Sequence, residues 1–305
     1  MPRGRPKKSK QDKPDKPLSA MRLDELLAKA QKKYGSRLAR AAEVEHLYKV
    51  SYAPVGIPLV DEMLGGGLPR GHISEVFGPP SAGKSWFLLN AVAAAQQRGE
   101  LTAWIDAEVT FYPELARAVG VDMDELLLST PECGEDALDL ILTLVKAKKN
   151  LGIIVLDSAT ALVSRDELDR PPEIGSMVAP TVRLWNAGLI RLKSALFGTP
   201  TAFAFVNQVR DNVGVMYGPA TTEPLGWRSK HDSVLRLNVR RKEWIKQGDK
   251  RTGQVNMARV EKMKYDGGPP IGTEVTFDIN FKDLRIGGTD EVPTSSDGGA
   301  SPQGA

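Results

Sequence analysis

The segment from Gly78 to Ser85 contains the residue types with the clearest chemical meaning in this chain. It fits the phosphate-binding pattern G-x-x-x-x-G-K-[ST] at every fixed position. In order, its residues are Gly78, Pro79, Pro80, Ser81, Ala82, Gly83, Lys84 and Ser85. The glycines let successive N–H groups face one anion, the lysine can reach the outer phosphates, and the final hydroxyl can bind Mg²⁺. The segment therefore predicts a phosphate site, with an accidental glycine-rich turn as the alternative.

The residues on either side favour the phosphate site. Ile73–Phe77 is typical of a short strand, and Trp86–Ala95 is typical of a buried helix that ends near Gly99. A strand, a loop and a helix in this order place bound phosphates at a helix N-terminus, where free N–H groups and the helix dipole favour negative charge. We therefore expect this part of the chain to bind a nucleotide.

Carboxylates follow two further segments that are typical of buried strands. Asp157 ends the apolar run Ile153–Leu156. Because ligands of an open parallel sheet lie at the carboxyl ends of its strands, Asp157 is expected to hold Mg²⁺ beside the phosphates. Glu108 ends another candidate strand segment, Trp104–Glu108, where a carboxylate near the γ-phosphate can orient and deprotonate an attacking water; a solvated acidic strand end is the alternative. Asp106 is the competing candidate for this role, and spacing alone does not choose between the two.

Two amides end another buried strand. Asn207 and Gln208 close the predicted strand Thr201–Gln208, and a glycine-containing segment, Asp211–Pro219, follows them. An amide beside the outermost phosphate can distinguish ATP from ADP and order the segment behind it. An ordinary polar turn is the alternative.

Strand and helix patterns alternate over residues 55–286. Further predicted elements are the helices Pro113–Val119, Glu135–Lys148 and Thr181–Leu196, and the strands Leu126–Ser129 and Gly152–Asp157. Continuous apolar strands that alternate with helices indicate a mainly parallel central sheet with helices on both faces. After Asp232 three strands without helices, Ser233–Val239, Gln254–Lys264 and Thr273–Ile279, predict an antiparallel extension. The predicted fold class is α/β.

Composition narrows the class of protein. The chain has 305 residues, a formal net charge of +3 and a single cysteine, Cys133. One cysteine permits no internal disulfide, which suits a reducing compartment. No apolar run approaches the roughly 18 residues of a membrane span, and no apolar segment of a signal peptide follows the basic N-terminus. The interpretation is a soluble intracellular protein with no membrane partner.

The N-terminal tail carries charge of its own. Residues 1–17 contain seven basic and two acidic residues, and we predict that residues 1–18 are disordered. Pro2–Lys8 resembles an AT-hook, in which Arg3 and Arg5 would enter a narrow A·T minor groove. A solubilising tail and a nuclear-localisation-type run are the alternatives.

The remaining boundaries follow from composition and periodicity. Residues 19–50 are predicted to hold an amphipathic helix, Ser19–Tyr34, and a linker, with Ser19 as N-cap and Gly35 as the stop. This helix is expected to dock on the chain's own core or on a neighbouring subunit. Residues 51–286 form the predicted core, and residues 287–305 form a second disordered tail.

Taken together, these segments resemble the bacterial RecA recombinase family. The resemblance is carried by Leu64–Ile73, the phosphate loop, Ile105–Glu108, Ile154–Ser158, Asn207–Arg210 and Gly214–Gly218, and it covers residues 20–285. It implies a RecA-like ATPase core that uses ATP and Mg²⁺ and forms helical filaments on single-stranded DNA. It also implies homologous pairing and strand exchange with double-stranded DNA, in the cytoplasm of a bacterium or of a phage-infected host.

The resemblance assigns roles to single residues. Glu108 would be the catalytic base, and Gln208 would sense the γ-phosphate. Lys84 would contact the phosphates of the ATP bound by its own protomer, while Lys262 and Lys264 would reach the ATP of a neighbouring protomer. Their spacing of two residues places both lysines on one face of a strand. Without the family, a solvated basic strand edge would be the preferred interpretation of these two residues.

Two loops carry DNA binding in that family. The first corresponds to Asp169–Val178, and its predicted DNA contacts are Met177 and, just after the loop, Arg183. The second runs from Gln208 to Lys230, with Arg210, Val213 and Arg228 as the predicted DNA contacts. Basic groups would hold phosphates and apolar tips would wedge between bases. By composition alone, either segment is also compatible with a surface loop that has no binding role.

The chain also departs from the family pattern. The position expected to stack on adenine is Leu115 in place of tyrosine, and Tyr112 is the predicted substitute. Only a tail follows Ile286, where bacterial members continue into another domain. Two functions remain open at this point: a recombinase that exchanges strands, and an accessory or regulatory ATPase that binds DNA without exchange. A small-molecule kinase is disfavoured because no acceptor site or lid is evident.

Overall fold

The computed structural model describes residues 22–35, 38–147, 150–171, 178–211, 221–222, 225–265, 268–282 and 286–287. The chain divides into two compact units, residues 1–49 and residues 50–305. The basic tail with Arg3 and Arg5, and the loop residues Met177 and Val213, lie outside the described residues.

The first unit holds helix α1, Leu23–Tyr34. It ends at Gly35, whose φ of 62° is in the left-handed region that glycine adopts without strain. The predicted N-cap, Ser19, lies outside the described residues, and Arg22 holds the N-cap position instead. The one-turn helix α2, Ala41–Val44, and a 3₁₀ turn, Glu45–Tyr48, follow. The predicted helix and its glycine stop are therefore present in this unit.

The second unit contains seven further helices and thirteen strands among the described residues. The helices are α3 Pro58–Leu64, α4 Lys84–Gln96, α5 Pro113–Val119, α6 Gly134–Lys146, α7 Arg165–Leu168, α8 Val178–Leu196 and α9 Gly226–Asp232. The first seven strands are β1 Tyr52–Ala53, β2 Leu68–Pro69, β3 Ile73–Gly78, β4 Leu101–Asp106, β5 Leu126–Ser129, β6 Leu151–Asp157 and β7 Ala202–Gln208. The others are β8 Arg210–Asp211, β9 Thr221–Thr222, β10 Leu235–Gln247, β11 Lys250–Met263, β12 Glu274–Asn280 and β13 Ile286–Gly287.

Nine strands form the central sheet, in the order β13-β12-β11-β10-β3-β7-β6-β4-β5. All pairs from β10 to β5 are parallel, whereas β10–β11, β11–β12 and β12–β13 are antiparallel. The predicted α/β class, the mainly parallel sheet and its antiparallel extension are confirmed. One difference is the length of the β10–β11 hairpin, because its outer half is charged and exposed and lacks the apolar run by which the buried strands were found.

Side chains of the parallel strands point alternately to the two faces of the sheet and pack into two separate hydrophobic cores. In β6, Ile153 and Val155 join the cluster under α4, while Ile154 and Leu156 join the cluster under α6 and α8. Both faces of the sheet are therefore covered, which explains why its strands read as unbroken apolar runs. Among the described helices, none combines the length and the apolar content that crossing a membrane requires.

Candidate functional site

The predicted site residues meet at the carboxyl ends of four neighbouring strands. The phosphate loop follows β3, Gln208 ends β7, Asp157 ends β6, and Glu108 lies two residues beyond β4. The sheet order β3-β7-β6-β4 makes these four ends adjacent. Residues as far apart in the sequence as Pro80 and Gln208 therefore line a single cavity of about 490 Å³. This is the edge at which open parallel sheets bind ligands.

Close packing explains why glycine stands at both fixed positions of the loop. Gly78 has φ 155°, and a Cβ there would lie 2.0 Å from the carbonyl oxygen of Val239. Gly83 has φ 80°, and a Cβ there would lie 2.8 Å from Nδ2 of Asn256 and 2.9 Å from Cδ1 of Ile279. The loop is thus held against the antiparallel strands, and α4 begins directly after Gly83, at Lys84.

The antiparallel strands also bind the loop directly. Nδ2 of Asn256, on β11, donates to the carbonyl oxygen of Ala82 at 2.6 Å. Nη1 of Arg241, on β10, donates to the carbonyl oxygen of Ser81 at 3.4 Å. Sequence reasoning missed both contacts, because neither residue belongs to a motif. These bonds hold the loop through two of its carbonyl oxygens and do not use its N–H groups, which are the groups that bind an anion in such a loop.

Lys84 and Asp157 form the charged floor of the cavity. The Lys84 ammonium is buried and donates to the carbonyl oxygens of Gly78 and Pro79 at 3.1 and 2.8 Å. Burial lowers the pKa of Lys84, and the nearby carboxylates of Asp157 and Glu108 oppose that shift. Burial likewise raises the pKa of Asp157 to about 6, while a hydrogen bond from Ser85 opposes the rise. Hydroxyl and carboxylate therefore lie together, as Mg²⁺ bound to phosphates requires.

Glu108 also lines the cavity and is held by two hydrogen-bond donors. Its Oε1 accepts hydrogen bonds from Nε2 of Gln208 and from Oγ of Ser158, the latter at 2.5 Å. Ser158 had been assigned no role, although it directly follows Asp157 in the chain. Two fixed donors to one oxygen orient the carboxylate and leave its Oε2 for another partner.

The structure separates the alternatives that spacing left open. Asp106 accepts a hydrogen bond from the Phe111 N–H at 2.8 Å, so it closes the turn that carries Glu108 and does not line the cavity. Asn207 donates to Oε1 of buried Glu75 at 2.6 Å, and Oε2 of the same carboxylate accepts from Arg236. Of the two predicted amides, only Gln208 therefore faces the cavity.

The cavity also has apolar lining residues, among them aromatic rings. Leu115, Ile279 and Phe281 are three of these residues. The predicted substitute, Tyr112, precedes α5, is 57% exposed and is not among the lining residues. Phe281 was missed because it lies after β12, about 170 residues away from Leu115 in the chain. Trp244 on β10 supports it, with ring centroids 6.1 Å apart.

Lys262 and Lys264 lie away from the chain's own cavity, at the carboxyl end of α9. The Lys262 ammonium donates to the carbonyl oxygens of Lys230 and His231, and that of Lys264 donates to His231 at 2.7 Å. β11 ends at Met263, so Lys264 follows the strand, yet both ammonium groups reach the same carbonyl. Burial and the neighbouring Lys264 lower the pKa of Lys262 to about 8.

The described DNA-binding candidates are scattered over the elements that border the two predicted loops. Arg183 is exposed on α8. Arg228 on α9 donates from Nε to Asp232 at 2.9 Å and remains partly exposed. Arg210 begins β8, which pairs with β9 in a small antiparallel ribbon.

Comparison with known proteins agrees with this geometry. The family model described as the RecA N-terminal domain matches residues 21–284. A protein named Protein RecA from Saccharopolyspora erythraea is 42% identical over 261 residues, which are 85% of this chain and 74% of the relative. Its namesake from Mycobacterium ulcerans is 39% identical, with the same coverage of both chains.

A third relative of the same name, from Tropheryma whipplei, is 39% identical over 262 residues, or 85% of this chain and 58% of that protein. The family match spans α1, the phosphate loop and all four strand ends that build the cavity. The chain therefore belongs to the bacterial RecA family of homologous recombination and DNA repair proteins.

Proposed function

We propose that this chain is a DNA-dependent ATPase that couples ATP hydrolysis to homologous pairing and strand exchange. The observation that carries the proposal is the placement of the Glu108 carboxylate between Gln208 and Ser158, at the cavity that also holds Lys84 and Asp157. The cavity combines a phosphate loop, a carboxylate that could act as a general base, and the amide of Gln208, and these are the groups that triphosphate hydrolysis uses.

The residues present fit ATP and Mg²⁺. The loop N–H groups and Lys84 would hold the phosphates, and Ser85 with Asp157 would hold Mg²⁺, which neutralises charge on the β- and γ-phosphates when it is bound. Bound Mg²⁺ would stabilise the charged form of the buried Asp157, because a nearby cation opposes the burial that raises its pKa. Leu115 and Phe281 would pack against the adenine ring of ATP.

Glu108 would act on the water that attacks the γ-phosphate. Its Oε1 is occupied by Gln208 and Ser158, so Oε2 is the oxygen that would accept the proton. Gln208 donates to this carboxylate and stands at the end of β7, ahead of the segment predicted as the second DNA loop. Loss of the γ-phosphate on hydrolysis would thus alter the position of Gln208 and, through it, the conformation of the segment that follows β7.

Assembly and DNA binding complete the proposal. The exposed apolar residues Leu23 and Tyr34 of α1 suit docking on a neighbouring protomer, so residues 19–50 would serve filament formation. Lys262 and Lys264 would act on the neighbour's ATP. Residues 1–18, with Arg3 and Arg5, would capture duplex DNA, and residues 51–286 would form the ATPase core with both DNA loops. Residues 287–305 would remain a tail.

The test is turnover with and without DNA. We expect ATP hydrolysis by the purified chain to rise severalfold or more with single-stranded DNA, and electron micrographs with ATP and that DNA to show helical filaments. A strand-exchange assay with a homologous duplex then separates the recombinase from an accessory ATPase. A monomeric protein that hydrolyses ATP equally with and without DNA would contradict the proposal.

Lys262 leads to a prediction about pH. Because its pKa is lowered to about 8, it carries its charge below pH 8 and loses it as the pH rises through that value. If this charge acts on a neighbour's phosphates, DNA-stimulated kcat/KM should fall above about pH 8. In Lys262→Arg the fall should move to higher pH, because arginine stays protonated. If DNA-stimulated kcat/KM of that variant fell over the same pH range as in the parent chain, a group other than Lys262 would be responsible for the fall.

A further inference from the structure

Val109 has a backbone conformation that valine rarely adopts. Its φ is 55°, in the left-handed region, and the described residues contain one other non-glycine residue with positive φ, Ser81 of the phosphate loop. A β-branched side chain crowds the backbone there, so the surrounding structure must hold this conformation against strain. Val109 directly follows Glu108 in the chain. The two unusual residues therefore belong to the segments that supply the phosphate loop and the candidate base.

The side chain of Val109 does not account for this conformation. It is 74% exposed, so it buries little apolar surface that would offset the strain. A valine whose own packing required a left-handed backbone would be buried instead. The conformation is therefore imposed by the residues on either side of it.

The residues before Val109 are tied to the ends of β6 and β7. The Ala107 N–H donates to the carbonyl oxygen of Asp157 at 2.8 Å. The Glu108 carboxylate accepts hydrogen bonds from Ser158 and Gln208. The chain is thus held on this side partly by its backbone and partly by the Glu108 side chain.

The residues after Val109 are tied back to β4. The Phe111 N–H donates to the Asp106 carboxylate at 2.8 Å. The Phe111 ring meets that of buried Trp104 edge to face, with centroids 5.8 Å apart. A turn at Val109 lets the chain satisfy both sets of contacts, and the left-handed backbone is part of that turn.

Two opposing effects therefore decide where Glu108 lies. Strain favours any turn in which Val109 leaves the left-handed region, because valine is more stable in extended backbone. The hydrogen bonds from Ser158 and Gln208 favour the observed turn. Weakening either donor shifts this balance towards a turn in which Glu108 is no longer oriented.

We propose that Val109 is a positioning residue for ATP hydrolysis, whose strained backbone makes the orientation of Glu108 depend on its donors Ser158 and Gln208. The inference rests on the proposed function, since it concerns the base of that reaction. A residue that tolerates the left-handed region would keep Glu108 oriented when one donor is missing. Valine makes the carboxylate easier to release, so a displacement of Gln208 is transmitted to the base.

The experiment measures steady-state ATP hydrolysis by the full chain at saturating single-stranded DNA. Ser158→Ala removes one donor to Glu108 and should lower kcat by about tenfold, the usual worth of a hydrogen bond to a charged group. Adding Val109→Asn should recover about fivefold of this loss, because asparagine is tolerated in the left-handed region. The KM for ATP should stay unchanged in both proteins, since the phosphate loop is untouched.

Two control substitutions separate strain from other effects of the change. Val109→Ile keeps a β-branched residue and should recover none of the loss in the Ser158→Ala chain. Thr110→Asn places asparagine at the next position, which is exposed and has no positive φ, and should recover none either. Thermal unfolding measures the strain itself, and Val109→Asn alone should raise Tm by about 2 °C while Val109→Ile leaves Tm unchanged.

Each other outcome has a definite meaning. A higher Tm for Val109→Asn without recovery of kcat shows a purely structural role, which overturns the inference and leaves the proposed function intact. An undiminished kcat in Ser158→Ala also overturns it, because Glu108 then keeps its orientation without that donor. If Val109→Asn no longer sediments with DNA as a filament, the side chain contacts a second copy of the chain and the inference is wrong.

Two further results complete the test. Absence of ATP hydrolysis by the parent chain removes the proposed function itself. Circular dichroism shows whether each variant is folded. If Ser158→Ala is unfolded, Gln208→Ala removes the other donor and provides a second background, in which Val109→Asn should again recover part of the lost kcat and Val109→Ile should not. Equal turnover of these two double variants would overturn the inference.

Discussion

Replacing Glu108 with alanine is expected to lower the turnover of ATP by about 10²- to 10⁴-fold, the usual contribution of a positioned general base. The variant removes the carboxylate that Gln208 and Ser158 hold at the cavity. Nucleotide affinity should stay within a few-fold, because Lys84, Ser85 and the loop N–H groups are untouched. Affinity measured with a fluorescent ATP analogue and single-turnover hydrolysis separate the two effects.

The controls for this variant address charge and geometry. Glu62→Ala removes an exposed carboxylate from α3, outside the cavity, and should leave turnover unchanged. Glu108→Gln keeps an oxygen for Gln208 and Ser158 but has no proton-accepting carboxylate, so it should be nearly as slow as Glu108→Ala. Turnover within tenfold of the parent chain in both Glu108 variants would place the base elsewhere.

The second large effect is expected for Lys84→Ala. The substitution removes the one cation that lines the chain's own cavity among the described residues, so the phosphate charge would be left without its partner. Loss of one preorganised donor of this kind typically costs on the order of 10²- to 10³-fold in rate, and we expect weaker nucleotide binding in addition. Equilibrium binding and steady-state hydrolysis measure both losses.

Folding should survive this change. The Lys84 ammonium bonds to two carbonyls of its own loop, and the loop remains tied to Asn256 and Arg241. Lys146→Ala, an exposed lysine on α6, is the matched control. A Lys84→Ala protein that hydrolyses ATP at the parent rate would show that the loop does not hold the phosphates.

Local sequence determined the parts of the site that one segment can encode. The phosphate loop, the strand before it and the helix after it are contiguous, so one stretch of sequence encodes all three. Apolar runs ending in Asp157 and Gln208 likewise located the carboxyl ends of β6 and β7. The adjacency of these ends follows from the general rule for open parallel sheets, so the sequence was sufficient to gather the main chemical groups.

Contacts between distant segments had no such signal. Asn256 and Arg241 hold the loop, and Phe281 closes the cavity, yet each lies in strands or turns of ordinary composition. The choice between Glu108 and Asp106 also depended on packing. The Glu108 carboxylate accepts a hydrogen bond from Gln208, whereas the Asp106 carboxylate accepts one from the Phe111 N–H.

The sequence by itself determined the α/β class, the phosphate loop and the family, because these depend on local spacing and on periodic burial. Tertiary structure alone decided which carboxylate faces the cavity and which amide reaches it. Those outcomes depend on sheet order and on the direction of each side chain. Both arise from contacts between residues that are far apart in the chain, and no local pattern encodes them.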